Sequence, residues 1–530
     1  MKKISGLELR SQWNEFRTSK NHKYLTEASI IGGKESTAMF NIAGMQQLIP
    51  YLSGKKHELG KRLFNIQKCL RTVDIDEVGD ASHLTIFEMM GNRSLGDYFK
   101  KDAIDWSREF LVDVLGFDHQ KLAVTVFEGD QDTPRDDESV GYRKKYLTEN
   151  RIAYLPAENN RWSPGPVGPC GPDSEIFYRV GSDEYPPENS NPGNDEDNRL
   201  EVWNNVFMEY YRDDSGKLTK LENQNVDTGM GYERMCKVLQ NKDSVYETDV
   251  FDYIIKDIEK FVDKKYDGNQ KRFRIVADHI RTSFFMVKDG ISPSNEGRGY
   301  VLRRIIRRMY YNLLALKNID KSDFNLFLKG IFVNISNNFG LKENIELIAD
   351  IINKECLQFQ KTIEKGEKLL KEIIQKSEKT KIINGKDAFM LYDTFGFPLE
   401  LSKEIAKDNG FEIDEDGFTK EMEAQQDRSR KGSKDKFTID VDRGKYVKGL
   451  SATKFIGYDI SNCEKGNDAV ILLKDFEIGG QRILVFDQSP FYAESGGQMG
   501  DNGRIVLDDG EEVEVIDVKK YEGVFLHFVK

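Results

Sequence analysis

Arg62-Leu63-Phe64-Asn65-Ile66-Gln67-Lys68-Cys69-Leu70-Arg71 reads as a β-strand with Phe64, Ile66 and Leu70 on one face and Asn65, Gln67 and Arg71 on the other. Its polar face ends in an arginine. The acidic run Asp74 to Asp80 (DIDEVGD) follows, and Leu84-Thr85-Ile86-Phe87-Glu88-Met89-Met90 returns as a second strand ahead of Gly91-Asn92. Two strands joined in this way form a hairpin that presents Arg71. A guanidinium offers paired donors to a phosphate and stays charged at any relevant pH. The same spacing also fits an edge-strand arginine in a surface ion pair.

Outward from this hairpin, residues up to about Gln240 mix short alternating runs with Gly, Pro and Asp punctuation, which predicts an α+β domain rich in antiparallel strands. The loops Glu128 to Ser139 and Gly181 to Arg199 are polar and turn-rich and are expected to be exposed. Asn225-Val226-Asp227-Thr228-Gly229-Met230-Gly231-Tyr232-Glu233-Arg234 places two glycines where backbone can approach a ligand, then starts a helix with an arginine in its first turn. A bulge that ends a strand has the same pattern. Arg161-Trp162 precedes a Gly- and Pro-rich loop, Gly165 to Pro172. In Glu201 to Phe207, Val202, Asn204 and Val206 share a strand face, and a polar residue between two valines needs a partner.

From about Ser244 the period turns helical, and Ile345, Ile348, Ile352, Phe359, Ile363, Leu370 and Ile374 mark a long amphipathic helix. In Arg298 to Met309, Leu302, Ile305, Ile306 and Met309 form an apolar stripe, while Arg303, Arg304, Arg307 and Arg308 gather on the other side. Such a stripe suits a phosphate backbone or a solvated, salt-bridged face. After a charged connector at Asp427 to Lys436, a small β-rich unit begins near Tyr446.

The whole chain of 530 residues has 32% charged and 38% hydrophobic residues and a formal net charge of −12, which is globular and argues against a uniformly basic nucleic-acid coat. No apolar run approaches the roughly 20 residues of a spanning helix, and the start has no signal-peptide block, so no membrane association is expected. Five scattered cysteines and six histidines form no C-x-x-C or H-x-x-x-H pattern, so neither zinc nor a disulfide frame is expected; the compartment expected is the cytoplasm.

Taken in order, Phe40-Asn41-Ile42-Ala43-Gly44-Met45-Gln46-Gln47, Phe87 to Asn92 with Gly96 to Lys100, Gly168 to Pro172, Val226 to Arg234, Asp278-His279-Ile280-Arg281, Pro293-Ser294-Asn295-Glu296 and Arg298 to Arg308 resemble the N-terminal part of the alanyl-tRNA synthetases, of class II. The resemblance implies a class II antiparallel sheet with flanking helices (1–243), an all-α tRNA-recognition domain (244–436) and a partial β-barrel (437–530). It implies ATP, alanine and tRNA(Ala) as substrates, with Mg²⁺ accompanying the nucleotide. Arg71 and Arg234 match the catalytic arginines on the ATP phosphates, Met89, Trp162 and Gly229 surround the adenylate, and Asn204, Val206 and Asp227 form the alanine pocket. The stripe Arg303, Arg304, Arg307 and Arg308 is then the tRNA-binding surface.

Three departures qualify the resemblance. Only Thr72-Val73 separates Arg71 from Asp74, where the family inserts several residues. Glu400, after Gly396-Phe397-Pro398, stands where the family reads a G·U pair with Asp, and the matching Asn is placed ambiguously near Asn312. Phe491 to Asp501 resembles the barrel ahead of the family's editing domain, whose zinc ligands do not follow, so neither editing nor dimerisation is expected. A paralogue that passes the adenylate to another acceptor and a non-catalytic RNA-binding module are the competing readings; joint retention of Arg71, Asp227 and Arg234 opposes the second.

Overall fold

A computed structural model describes residues 3–32, 38–163, 165, 167–180, 185–195, 198–395, 397, 399–424, 450–456, 470–478, 481–491, 493, 501, 503–507, 509–521 and 523–530. They divide into two compact units, Met1–Ile363 and Glu364–Lys530. The first is built on a nine-stranded sheet: β1 (Lys23–Tyr24), β2 (Arg62–Leu70), β3 (Ile86–Leu95), β4 (Leu122–Phe127), β5 (Ile152–Leu155), β6 (Arg161–Trp162), β7 (Gly168–Arg179), β8 (Arg199–Arg212) and β9 (Leu218–Gly231). The strand order is β1-β2-β3-β9-β8-β7-β4-β5, with β6 paired to β7. All pairs are antiparallel except β1 with β2 and β4 with β5.

The expected hairpin is β2 and β3, but the second strand runs past Gly91-Asn92 to Leu95. That extension sets the register across the centre of the sheet: Arg93 pairs with Asp227, Val206 with Asp227 and Asn204 with Gly229.

Each sheet face carries its own core. On one, Trp13 of α1 (Gly6–Ser19) packs edge-on against Trp203 and Phe110, at 5.6 and 5.2 Å between ring centroids. α1 starts with a capping box in which Ser5 and Glu8 satisfy each other's backbone N–H. The other face has a smaller cluster that includes Met45, Leu63, Cys69, Met89 and Val206. Val202 does not share the face of Val206 as the alternation suggested. A register irregularity between Ile176 and Phe177 turns it, with Trp203, into the first cluster.

α2 (Ile49–Leu52), α3 (Lys100–Arg108), α4 (Asp137–Arg143) and α5 (Ala157–Asn160) occupy the connections, and α6 (Tyr232–Leu239) follows β9. The loop 128–139 is not freely exposed, because Asp136 caps α4 through Ser139 and accepts from the buried Lys100 Nζ at 2.8 Å. In the second loop Ser190 is likewise buried, and its backbone oxygen accepts from Arg151 and Arg199.

α7 (Asp252–Val262), α8 (Gln270–Lys288), α9 (Gly297–Leu316) and α10 (Lys321–Asn338) complete the first unit, and α11 (Ile345–Lys376) is the long amphipathic helix expected. The packing continues through residue 243 without a gap, since α8 and α9 clasp the connection between β2 and β3. Asp278 accepts from the Thr85 N–H at 2.9 Å, and Arg308 donates to the Ile75 and Val78 carbonyls at 2.7 and 3.1 Å.

The second unit contains α12 (Gly385–Phe395), α13 (Leu399–Asp408) and the short parallel pair β10 (Ile382–Ile383) and β11 (Glu412–Ile413). Short β12 (Lys454–Phe455) pairs with β15 (Gln488–Ser489). The partial barrel is an open antiparallel sheet of β13 (Leu472–Ile478), β14 (Gln481–Phe486), β18 (Val524–Val529), β17 (Glu512–Tyr521) and β16 (Gly503–Val506), in that order. The connector, Tyr446, Cys463, Gly396, Pro398 and most of Phe491 to Asp501 lie outside the described residues. Among those described, no helix is long and apolar enough to cross a membrane.

Candidate active site

Arg71 follows directly on β2. Its backbone N–H donates to Thr85 O at 3.0 Å, its Nε donates to Ile42 O at 3.3 Å, and its guanidinium lies 5.0 Å from the Phe87 ring centroid. The segment Phe40 to Gln47 therefore cradles the arginine through a backbone carbonyl. No carboxylate among the described residues pairs with it, so its charge is available to a ligand. Arg234 stands in the first turn of α6, where Nη1 donates to Glu201 Oε2 at 2.7 Å. Its neighbour Glu233 is buried and accepts from Arg281 Nη2 at 2.9 Å and the Glu88 N–H at 3.1 Å, which fixes the start of the helix.

Arg71 and Arg234 line one cleft together with Phe87, Met89 and Gly229. Gly229 is closely approached, since a Cβ there would lie 2.9 Å from Met89 Sδ and displace that side chain. Asn204, Val206 and Asp227 are not cleft walls; they lie in the paired strands β8 and β9 around Gly229. Trp162 pairs with Gly171 and packs, half-buried, on the cluster that holds Met89 and Val206.

The polar partner that Asn204 needed is Asp173: Asn204 Nδ2 donates to Asp173 Oδ2 at 2.7 Å. Asn204 Oδ1 is buried without a hydrogen bond. Burial pushes the Asp173 carboxyl up to about 7. The Glu175 carboxyl is pushed up to about 9, by burial first and then by the charges of Glu201 and Asp173. Asp227 is not a free counter-charge, since Arg93 Nε donates to its Oδ1 at 2.8 Å with both groups buried. Burial raises the Asp227 carboxyl, and the Arg93 guanidinium opposes that rise.

Arg93 was the central residue missed by sequence reasoning. The signal was present, since the alternation Met89, Gly91, Arg93, Leu95 continues beyond the strand end expected at Met90. Arg93 also accounts for Gly44 in the Phe40 to Gln47 segment. A Cβ at Gly44 would sit 1.9 Å from Arg93 Nη2.

The α9 arginines do not form one solvated stripe. Arg307 is buried and its Nε donates to Glu355 of α11 at 2.8 Å; Arg308 is buried and satisfied by backbone carbonyls and by His279 Nε2 at 3.1 Å. Arg303 also reaches Glu355, at 3.3 Å, and Arg304 reaches Asp76 at 2.6 Å, their side chains being only 19% and 15% exposed. The helix turns these side chains toward α11 and the β2–β3 connection, because both lie against the side read as free. Asn312 is buried and bonded to Arg272 and to Arg308 O. Glu400 falls in α13, its side chain outside the described residues.

The family described as tRNA synthetases class II (A) matches residues 8–530. An alanine–tRNA ligase of Thermotoga maritima is 40% identical over 550 residues, covering 100% of this chain and 62% of that protein. Those of Prochlorococcus marinus and Christiangramia forsetii are 39% and 38% identical, each covering 99% of this chain and 59% and 62% of their own length. The chain thus spans about three fifths of the length of the curated relatives it matches. With a family match over nearly all of its residues and a cleft lined by the two arginines, the chain belongs to the class II (A) tRNA synthetases.

Proposed function

We propose that this chain carries the aminoacylation chemistry of an alanine–tRNA ligase: ATP and alanine give alanyl-adenylate and pyrophosphate, and alanine then passes to the 3′-terminal adenosine of tRNA(Ala). The observation that carries the reading is the shared cleft of Arg71 and Arg234 over a floor of Met89 and Gly229. The identity of the curated relatives supports alanine as the amino acid.

No general base is required, because the attacking carboxylate of alanine is already anionic. Catalysis is positioning plus charge stabilisation. Arg71 holds the α-phosphate, Arg234 the departing pyrophosphate, and Trp162 closes the adenylate side. Asn204 and Val206 would bound the alanine side chain. The ammonium of alanine is received by Asn204 Oδ1 and by the Arg93-held carboxylate of Asp227.

Mg²⁺ would shield the polyphosphate as pyrophosphate departs. Among the described residues no group of three or more His, Cys, Asp or Glu is arranged to hold a metal alone. The carboxyls of Glu175 and Glu201 beside Arg234 nonetheless fit a cation that brings phosphate oxygens as its remaining ligands. Their mutual repulsion would be relieved by it.

For tRNA, Arg303 and Arg304 at the partly open edge of α9 are the proposed backbone contacts, in a cytoplasmic enzyme. Arg307 and Arg308 serve the packing of that helix. The test is ATP–pyrophosphate exchange across an amino-acid panel, followed by charging of tRNA(Ala). Alanine-dependent exchange with charging is expected. Exchange with no amino acid sinks the reading, and alanine exchange without charging selects an enzyme with another acceptor.

A further inference from the structure

On the sheet face away from the arginine cleft, the segment Glu109–Val114 winds as a π-turn, with the Leu115 N–H donating to Phe110 O at 3.0 Å. Such turns widen a helix and recur at functional sites. Between this turn, β4 and the end of α4 lies a cavity of about 240 Å³. Its body is apolar, with Leu111, Leu122, Val124 and Ile176 among its walls. Arg108, His119, Arg143 and Lys145 line it, with no carboxylate among the described lining residues, and of these Arg108 is paired with Asp113. That is unexpected in a chain of net charge −12.

Arg143 is the decisive group. It is 4% exposed and has no ion pair among the described residues. Nε donates to Ser174 Oγ at 3.2 Å and Nη2 to Ser174 O at 3.4 Å, while Nη1 has no hydrogen bond among the described residues. The acid whose charge reaches it, Asp136, is already engaged by Lys100 and by the Ser139 N–H. Burial depresses the guanidinium to about 9. A buried, unpaired cation on the wall of an apolar cavity is costly unless an anion joins it.

We infer that this cavity is a binding site for a small amphipathic monoanion, an apolar body carrying one carboxylate or similar group, with the anion on Arg143 and the body among Leu111, Val124 and Ile176. Ser174, which holds Arg143, adjoins Asp173, the partner of Asn204, so occupancy is one strand position from the amino-acid floor.

Octanoate is the probe, and isothermal titration of the full chain is the measurement. Saturable binding at one site is expected, at least tenfold tighter than octanol and undiminished by saturating ATP. Arg143→Met and the cavity-filling Val112→Phe should each weaken it at least tenfold, whereas Arg71→Ala in the other cleft should leave it unchanged. No saturable binding, equal binding of octanol, displacement by ATP, or full binding by Val112→Phe overturns the inference. Should Arg143→Met not fold, Val112→Phe decides alone.

Discussion

Arg71 and Arg308 grip the same connection between β2 and β3, one through its backbone N–H on Thr85 and the other through its guanidinium on the Ile75 and Val78 carbonyls. Arg71 keeps a guanidinium with one long bond, over Phe87 and beside a cleft. Arg308 is buried, and its donors are consumed by backbone carbonyls and His279. Losing the first should cost chemistry and losing the second should cost the fold, because Arg71 has no carboxylate partner among the described residues while Arg308 is committed to backbone carbonyls. The Arg93–Asp227 pair stands between these cases: buried and paired, yet placed in the floor of the site.

The contrast can be broken by four measurements. Asp227→Ala strands the buried Arg93 charge, so unfolding free energy in urea should fall by about 3–5 kcal/mol and alanine-dependent exchange should vanish; near-normal exchange would remove Asp227 from the site. Arg71→Ala should lower exchange kcat/KM about 10²–10³-fold while the urea midpoint hardly moves. A large loss of stability there would make Arg71 another Arg308. Arg308→Met leaves two carbonyls short of a donor and should cost about 1–3 kcal/mol in the melt, with exchange per folded molecule far less affected than by Arg71→Ala.

The fourth measurement concerns pH. The Glu175 carboxyl, raised to about 9 beside Glu201 and Asp173, holds its proton more tightly folded than unfolded. Stability contributed by that proton is therefore present at low pH and lost as pH rises from near the ordinary value of a Glu carboxyl toward 9. Glu175→Gln should flatten the fall in stability between pH 6 and 9. An unaltered slope in thermal melts across that range would show that the cluster does not titrate there.

The hairpin, the glycine-rich end of β9 and the long α11 were legible because each is a local period or turn signal. The division of the strand face at Val202 was not, since a register irregularity between β7 and β8, which leaves Val202 unpaired with β7, decides it. Nor were the anchoring of loop 128–139 by Lys100 or the partner of Asn204 legible, both of which depend on residues far apart in sequence. The α9 arginines lie on a helix, as expected, but what covers Arg307 and Arg308 comes from α11 and from the β2–β3 connection.

By itself, then, the sequence determined where strands and helices lie and which residues bear charge suited to phosphate, because alternation, helical period and glycine placement act over a few residues. Only the tertiary structure decided which of those charges remain available. Arg71 and Arg234 meet over one cleft through the pairing of β3 with β9, Arg93 takes Asp227, and Arg307 and Arg308 are spent on packing. Availability is a property of burial and partners, and those are set by contacts across the fold rather than along the chain.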